Sequence, residues 1–420
     1  MTVEERIGKI NFEQLCKDLY GHAVDIDFQK KRYIELSKEH ILKFNNSDFD
    51  FYSSPGRIEV CGNHTDHNNG KVICASINVD TLGCVTKTND SKIIIASAGY
   101  PDVVVNINDL EINKKEFGNS SALARGVVAY YKSKGYKVGG FNATTTSTLF
   151  KGAGVSSSAC FCLLVAEVLN QYFNDGKISF IEKAKASQYA ENDYFGKPCG
   201  LMDQMAISAG GVIFIDFKDT ANPEVERINW VFDDVDIVLI NTGGNHSKLT
   251  DEYADIRKDM SAVANYFGEK TLRFVDEEKF YQSLDELQKE VSGRAILRTM
   301  HFFNENRRVE NAVTALKNKS KEQFVKQIQE SGNSSNFYLQ NVMPKADVAQ
   351  RISLALGITE NCKIPYLARR VHGGGFMGTV LIMIDKNYTQ QYMKLASKVF
   401  GGQNVFLVNI RNAGAKKIEV

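Results

Sequence analysis

The segment FNATTTSTLFKGAGVSSSACFCLLVAEVLNQYF, residues 141–173, decides the fold class of this chain. Residues 141–149 are rich in threonine and alternate in character, which predicts a β-strand. The glycines and serines of KGAGVSSSAC, residues 151–160, then predict a loop. The apolar positions that follow predict an amphipathic helix that ends near residue 173.

A strand, a glycine loop and a helix in this order favour an anion at the start of the helix. Exposed backbone N–H groups and the helix dipole attract a phosphate there, and the glycines allow close approach to the backbone. The serine hydroxyls could cap the helix or contact a bound Mg²⁺. A serine-capped helix after a simple turn has the same composition, and the chain contains no Walker motif G-x-x-x-x-G-K-[ST]. The order of the elements favours phosphate.

Helical and β-like patterns alternate along the rest of the chain. Residues 1–45 and 250–330 have the apolar spacing of helices, and short apolar runs predict strands within residues 51–105. Further strands are predicted at residues 211–217, at 235–241, at the end of 373–384 and at 405–410. The predicted class is therefore mixed α and β.

The length and composition limit the kinds of protein this can be. A chain of 420 residues exceeds what one hydrophobic core usually supports. A change of pattern near residue 213 predicts two domains, residues 1–213 and 214–420. The chain is 43% hydrophobic and 24% charged, which excludes disordered, collagen-like and coiled-coil proteins. The chain has 51 basic and 50 acidic residues, so its net charge gives no case for nucleic acid or an anionic membrane as the main partner.

The cysteines and the N-terminus predict a cellular location. None of the eight cysteines forms a C-x-x-C pair, and they are too sparse for a secreted disulfide scaffold. The N-terminal sequence MTVEERIGKINFEQ lacks the apolar stretch of a signal peptide. The longest apolar runs are far shorter than the roughly 20 residues of a membrane-spanning helix. We expect a soluble, cytoplasmic protein with reduced thiols.

A second segment, PGRIEVCGNHTDHNNGKV at residues 55–72, runs from a short strand into a polar turn. The turn groups Asn63, His64, Asp66 and His67 near Arg57. Such clusters at strand ends often bind small polar ligands, although an ordinary Asn/Asp/Gly turn has the same composition. The two histidines could suggest a metal, but no carboxylate or cysteine set completes a zinc site.

Two further segments are ambiguous by themselves. In VHGGGFMGTVLIMI, residues 371–384, the glycines fit G-x-G-x-x-G, but a strand rather than a helix follows, which argues against a dinucleotide fold. A tight loop that approaches a ligand or another backbone remains open. In ENDYFGKPCGLMDQ, residues 191–204, Asp203 alone would be interpreted as a helix cap or turn residue.

Taken together and in order, these segments resemble the GHMP kinase superfamily and, within it, the galactokinase family. The resembling motifs are PGRIEVCGNHTDHNNG, KGAGVSSSA, CGLMDQ, GGNHSKLTDEYADIR and HGGGFMG. The resemblance implies a two-lobed α+β fold with mixed sheets and an active site between the lobes. It also implies transfer of the γ-phosphoryl group of ATP, with Mg²⁺, to the anomeric hydroxyl of galactose.

The resemblance also implies roles for individual residues. Asp203 would accept the hydroxyl proton, and Arg57 would lie beside it, keep it ionised and stabilise the transferring group. The implied sugar contacts are Asn63, His64, Asp66, Gly200 and Tyr253. The implied contacts with the ATP phosphates are Gly152, Gly154, Ser156, Ser157 and Ser158. Ser158 and Glu191 are the implied Mg²⁺ ligands.

Three residues depart from the family pattern. Asn63 stands where galactokinases have a glutamate, His67 where they usually have tyrosine, and Met377 replaces a glycine of the third motif. The glutamate resembles an acceptor for the C6 hydroxyl of the sugar. The neutral Asn63 amide could keep galactose or tolerate a carboxylate at C6. We expect the other two departures to change packing.

Other functions remain open at this stage. The alternative substrates are galacturonate and N-acetylgalactosamine, and the alternative role is a sugar sensor without turnover. All three serines and Ala159 are present, which favours an enzyme. A dehydrogenase is a distant third. We expect a monomer or weak oligomer whose partners are a sugar and ATP, without nucleic acid or membrane.

Overall fold

Two β-sheets organise the structure, a computed structural model that describes residues 3–21, 24–150, 154–243, 250–344 and 348–419, the side chains of residues 250 and 251 excepted. The strands are β1 (Asp50–Cys61), β2 (Lys71–Lys87), β3 (Lys92–Ser97), β4 (Val103–Asn106), β5 (Phe141–Ser147), β6 (Val212–Asp216), β7 (Glu224–Ile228), β8 (Val235–Asn241), β9 (Ala368–His372), β10 (Thr379–Asp385), β11 (Val405–Val408) and β12 (Lys416–Ile418).

Helices cover both sheets and fill the middle of the second half. They are α1 (Val3–Ile7), α2 (Phe12–Tyr20), α3 (Ile26–Phe44), α4 (Ser120–Ser133), α5 (Ser157–Phe173), α6 (Phe180–Tyr189), α7 (Met202–Ala209), α8 (Thr250–Tyr266), α9 (Glu277–Gln282), α10 (Leu284–Glu290), α11 (Gly293–Lys317), α12 (Lys321–Ser334), α13 (Arg351–Asn361) and α14 (Lys386–Phe400). Within the described residues, every helix is too short or too polar to span a bilayer.

In the described residues the first sheet has eight strands. Its main path is β12-β1-β2-β5-β3-β4, and β6 joins β2 to β7. The strand pairs of this sheet are antiparallel except for β3 with β5, which are parallel. The chain between these two strands contains α4. The second sheet has the order β11-β8-β10-β9 and is antiparallel throughout. Mixed sheets with helices confirm the predicted α+β class.

One hydrophobic core joins the two halves of the chain. Ile58 and Ile73 of the first sheet pack in the same buried cluster as Leu239 and Leu381 of the second sheet. Val309 of α11 belongs to that cluster as well. The C-terminal end of β1 and the turn after it are therefore held between the two halves, where the candidate site lies.

Most predicted elements are confirmed within a few residues. The strand–loop–helix segment becomes β5 and α5, and the predicted strand at 235–241 is β8. The strand β9, which precedes the glycines at 373–378, was not predicted. These glycines connect the antiparallel strands β9 and β10 as a hairpin, which agrees with rejecting a dinucleotide fold. The two-domain boundary stays a prediction. Residue 213 lies inside β6, whereas the chain passes to the second sheet between β7 and β8 and returns to the first sheet at β12.

The described cysteines carry no disulfide. All eight are free thiols, and six of them are buried. Burial raises the pKa of buried thiols such as Cys74 and Cys162, because the thiolate would lose its hydration. These side chains act as small apolar groups in the core.

Candidate active site

The centre of the site is an ion pair between Arg57 of β1 and Asp203 of α7. Arg57 Nε lies 2.7 Å from Asp203 Oδ1, and Arg57 Nη2 lies 2.6 Å from Oδ2. The Asp203 side chain is 30% exposed, whereas that of Arg57 is 7% exposed. The guanidinium therefore lies behind the carboxylate and leaves part of it open to a ligand.

The surroundings of Asp203 keep it ionised. Burial by itself raises the pKa of this carboxyl, but the charge and hydrogen bonds of Arg57 lower it, as does the hydroxyl of Ser156. The net result is a pKa below the ordinary value for aspartate. A carboxylate held in this way is charged at neutral pH and can still accept a proton from a ligand.

The glycine–serine loop lies against this pair. Gly154 has φ +63°, and its carbonyl oxygen accepts a hydrogen bond from Arg57 Nη1. Ser156 also has a positive φ, +64°, and its hydroxyl donates to Asp203 Oδ2. Positive φ costs free energy for a residue with a Cβ, so the fold imposes this conformation. Gly152 lies outside the described residues.

The start of α5 is open to an anion. Ser157 and Ser158 are its first two residues, and Ser157 is exposed. Ser156, just before them, makes no side-chain capping bond. Of the three serines, Ser156 donates to Asp203, and its phosphate contact stays a prediction. The other two stand where a phosphate would meet the free N–H groups.

Ser158 and Glu191 lie together, as the metal prediction requires. The hydroxyl of Ser158 donates to Glu191 Oε2 at 2.9 Å, and Gln204 Nε2 donates to Glu191 Oε1 at 2.9 Å. Burial raises the pKa of Glu191, while the positive charge of Lys197 acts in the opposite direction. A hydroxyl and a carboxylate fit a hard cation such as Mg²⁺. Since the described residues hold no group of three or more His, Cys, Asp or Glu suited to a metal, phosphate oxygens would have to complete the coordination.

Asp66 and Gly200 meet within electrostatic range of Asp203. A Cβ on Gly200 would lie 2.0 Å from Asp66 Oδ2, so only glycine permits this approach. Burial raises the pKa of Asp66, and the nearby negative charge of Asp203 raises it further. Both residues line a cavity of ≈ 200 Å³ that also includes His67 and Arg257. This cavity has the polar lining that a sugar requires.

Tyr253 and His64 hold the third glycine segment instead of projecting freely. The Tyr253 hydroxyl donates to the Gly375 carbonyl at 2.8 Å, and a Cβ on Gly374 would lie 2.5 Å from the Tyr253 ring. His64 Nε2 lies 2.9 Å from the Gly374 carbonyl, and its Nδ1 lies 3.3 Å from His67 Nε2. Burial lowers the pKa of His64 to about 4. Both ring nitrogens of this neutral imidazole have protein partners, so His64 has no ring nitrogen left for a sugar.

Asn63 also differs from its predicted role. Its side chain is fully buried, and its amide nitrogen donates to Glu59 at 3.0 Å and to the Gly373 carbonyl at 2.7 Å. Its amide oxygen accepts from Asn341 at 2.8 Å and from Ser335 at 3.3 Å. An amide offers two donors and two acceptor positions, and all are used. In this conformation nothing remains for the C6 hydroxyl of a sugar.

Sequence reasoning missed the buried charges beneath these residues. Glu59 forms an ion pair with Arg370 of β9, and Arg370 Nη1 donates to the Val60 carbonyl at 2.6 Å. The sequence did contain one signal for Glu59. Residues two apart in a strand face the same side, so Glu59 shares its side of β1 with Arg57.

The remaining departures from the family pattern concern packing. Met377 packs against the apolar cluster that contains Phe376 and Ile256, as expected. His67 Nδ1 accepts a hydrogen bond from the side-chain amide of Asn68 at 2.9 Å, and its Nε2 lies 3.3 Å from His64 Nδ1. Of the two residues, His67 lines the cavity.

Comparisons with known proteins agree with this geometry. Residues 122–211 match the GHMP kinases N terminal domain, and residues 38–87 match the galactokinase galactose-binding signature. The galactokinase of Clostridium tetani is 31% identical over 374 residues, which cover 86% of this chain and 91% of that protein. The galactokinase of Lactococcus lactis is 27% identical over 386 residues, which cover 90% of this chain and 94% of that protein.

Solved structures show the same fold. The crystal structure of Lactococcus lactis galactokinase complexed with galactose superposes with a TM-score of 0.78 at 24% identity and covers 91% of this chain and 99% of that one. The mevalonate kinase of Methanococcus jannaschii gives a TM-score of 0.61 at 15% identity, with 87% and 99% covered. These matches confirm the predicted two-lobed fold. The chain belongs to the galactokinase family of the GHMP kinase superfamily.

Proposed function

We propose that this protein is an ATP-dependent kinase that phosphorylates the anomeric hydroxyl of galactose. The observation that carries the proposal is the Arg57–Asp203 pair, which contacts the glycine–serine loop and lies within electrostatic range of Asp66. A phosphate donor bound at the loop and a polar acceptor bound beside Asp66 would meet at the carboxylate. Relatives named galactokinase support galactose as the acceptor.

The residues divide the chemistry between them. The anomeric oxygen forms a bond to the γ-phosphorus, the bond to the bridging oxygen of ADP breaks, and the hydroxyl proton passes to Asp203. The products are galactose 1-phosphate and ADP. Arg57 keeps Asp203 ionised and lies close enough to stabilise charge on the transferring group.

The phosphate side is formed by the start of α5. Gly154, Ser157 and Ser158 would surround the phosphates with backbone N–H groups and hydroxyls. Ser158 and Glu191, 2.9 Å apart, would hold Mg²⁺. When bound, this ion neutralises negative charge on the phosphates. Gln204 orients the Glu191 carboxylate through its own hydrogen bond.

Asp66 and Gly200, which line the cavity, would form the sugar side together with Tyr253. A carboxylate such as Asp66 distinguishes sugars by accepting hydrogen bonds from hydroxyls at fixed positions. Arg257 lines the same cavity, and this cation favours galacturonate as the second candidate substrate.

The test is ATP-dependent ADP release with galactose, galacturonate, N-acetylgalactosamine and glucose, with the product identified by ³¹P NMR. We expect the highest kcat/KM with galactose and a product phosphorylated at C1. A higher kcat/KM with galacturonate would make it the substrate. Sugar binding without any turnover would indicate a sensor, and sugar-independent ATP hydrolysis alone would overturn the kinase.

We also propose a cytoplasmic protein that is a monomer or a weak oligomer. The need for ATP and the eight free thiols support this location. Cell fractionation tests the location, and sedimentation velocity across a concentration series tests the association state. A stable dimer at low concentration would contradict the second part.

A further inference from the structure

His372 is a buried histidine at the edge of the phosphate site that the proposed mechanism leaves without a role. It is the last residue of β9 and is only 3% exposed. Its Nε2 accepts a hydrogen bond from the backbone N–H of Glu59 at 3.2 Å. This bond attaches the glycine hairpin to β1, two residues beyond Arg57.

That hydrogen bond fixes the tautomer of the ring. A backbone N–H can only donate, so Nε2 must be the unprotonated nitrogen, and the neutral imidazole carries its hydrogen on Nδ1. Burial lowers the pKa of His372, and the positive charges of Arg57 and Arg370 lower it further, so the ring is neutral at neutral pH. His372 therefore presents one N–H donor at Nδ1.

This donor has no acceptor within the described part of the chain. Nδ1 is buried and makes no hydrogen bond there. Buried polar groups are almost always paired, so an unpaired one requires an explanation. Nδ1 lies 3.9 Å from the point that a Cβ on Gly154 would occupy, and it therefore faces the glycine–serine loop. The carbonyl of Gly154 is already bonded to Arg57.

We propose that His372 Nδ1–H donates a hydrogen bond to an oxygen of the terminal phosphate of bound ATP. This inference rests on the proposed kinase function. The terminal phosphate is favoured because His372 lies within the electrostatic range of both Arg57 and Asp203, where the transferred group must be placed. A phosphate oxygen is the acceptor that the position lacks, and it is present only while ATP is bound.

Two substitutions separate the two ring nitrogens. His372→Gln can place an amide oxygen near the Nε2 position and keep the bond from Glu59, but it removes the Nδ1 donor. His372→Asn can place an amide N–H near the Nδ1 position but cannot reach Glu59. If the phosphate contact matters, His372→Gln lowers kcat/KM for ATP by about 10- to 100-fold, the usual effect of losing a hydrogen bond to a charged group. His372→Asn then retains most of the activity.

The matched control is His40, which is fully buried on α3 and bonded through both ring nitrogens to Thr144 and Thr86. His40→Gln removes a buried imidazole whose hydrogen-bond partners lie outside the loop. It should leave kcat/KM for ATP unchanged in the folded fraction. If His372→Asn is the more damaging of the two His372 variants, the ring serves to attach the hairpin and the proposal is wrong.

Binding and NMR measurements provide a readout besides activity. In calorimetry, His372→Gln should weaken the binding of a non-hydrolysable ATP analogue by about 10-fold or more, while the binding of ADP changes little. In ¹⁵N-histidine spectra of the unmodified protein, the Nδ1–H signal of His372 should shift with the analogue and not with ADP. Equal losses for both nucleotides, or a signal that the analogue does not move, would overturn the proposal. If the unmodified protein binds neither nucleotide, the kinase function itself fails.

Discussion

Asp203 and Arg57 are 146 residues apart in the sequence and share two parallel hydrogen bonds of 2.7 and 2.6 Å. This geometry fixes the direction of the carboxylate as well as its charge. The Ser156 hydroxyl adds a third donor from the glycine–serine loop. If nucleotide binding moves that loop, the hydrogen bond from Ser156 to the Asp203 carboxylate would therefore change as well.

Asp203→Asn should abolish most turnover while leaving ATP binding intact. The amide cannot accept the proton, and loss of a general base typically lowers the rate by about 10²- to 10⁴-fold. Steady-state kinetics and nucleotide calorimetry on the same sample separate the two effects. Asp216→Asn is the control, since Asp216 pairs with Arg273 outside the site. Near-normal turnover of Asp203→Asn would remove the residue from its proposed role.

Arg57→Met should move the acidic limb of the pH profile upward. In the proposed mechanism the ionised Asp203 is the active form, so activity should be lost as pH falls through its pKa. With Arg57 the pKa lies below the ordinary value near 3.9, and the limb stays outside the range of about pH 5–8. Without Arg57 the effect of burial is no longer opposed, and the pKa rises. The check is kcat/KM against pH beside Arg307→Met, which removes an exposed cation. Profiles of the same shape would contradict the assigned cause.

Glu191→Gln should weaken the response to Mg²⁺ more than sugar binding. An amide oxygen is neutral and binds a hard cation less well than a carboxylate. We expect the half-saturating Mg²⁺ concentration to rise by at least about 10-fold, comparable with losses after changes around metal ligands. Glu182→Gln on α6, whose carboxylate contacts Tyr130 and Lys185, is the control. An unchanged Mg²⁺ titration would rule out Glu191 as a ligand.

Gly200→Ala should raise KM for the sugar while KM for ATP stays nearly constant. The new methyl group would lie 2.0 Å from Asp66 Oδ2 and must displace that carboxylate from the cavity. Gly357→Ala in α13 is the control, because a Cβ there meets nothing within 4 Å. If KM changes equally for both substrates, Asp66 is not specific to the sugar side.

Local patterns predicted the elements around the phosphate site well. The threonine-rich strand, the glycine loop and the apolar helix each depend on neighbouring residues, and they became β5, the loop and α5. The sequence ARRVH of β9 contains two arginines, and since arginine is rarely buried, this composition does not predict a buried strand. It forms a buried strand because Glu59, more than 300 residues away in sequence, neutralises Arg370. Sequence periodicity cannot show such a pairing.

Contacts between residues that are distant in the sequence also limit what could be predicted of the site. The Arg57–Asp203 pair followed from the resemblance to the galactokinase family. The fully occupied amide of Asn63 did not, because two of its partners, Ser335 and Asn341, lie more than 270 residues further along the chain. The family position of Asn63 suggested a sugar contact, whereas the fold surrounds its side chain with protein.

The last prediction concerns Asn63 and Glu59, whose side chains lie 3.0 Å apart. Asn63→Glu restores the family residue but places a second carboxylate beside Glu59, whose buried partner Arg370 can balance only one of them. We expect the free energy of unfolding to fall by about 3 kcal/mol, as for other uncompensated buried charges. Adding Glu59→Gln leaves one carboxylate for Arg370 and should recover most of that loss.

The four proteins of this double-mutant cycle are compared by denaturant unfolding, and the single Glu59→Gln variant controls for loss of the original ion pair. Because the Asn63 amide has no free donor or acceptor, the ratio of kcat/KM for galactose and galacturonate should stay the same across the cycle. A ratio that moves toward galactose in the stable double variant would show that residue 63 contacts C6. Additive losses of stability would show that Glu59 and Asn63 are not coupled.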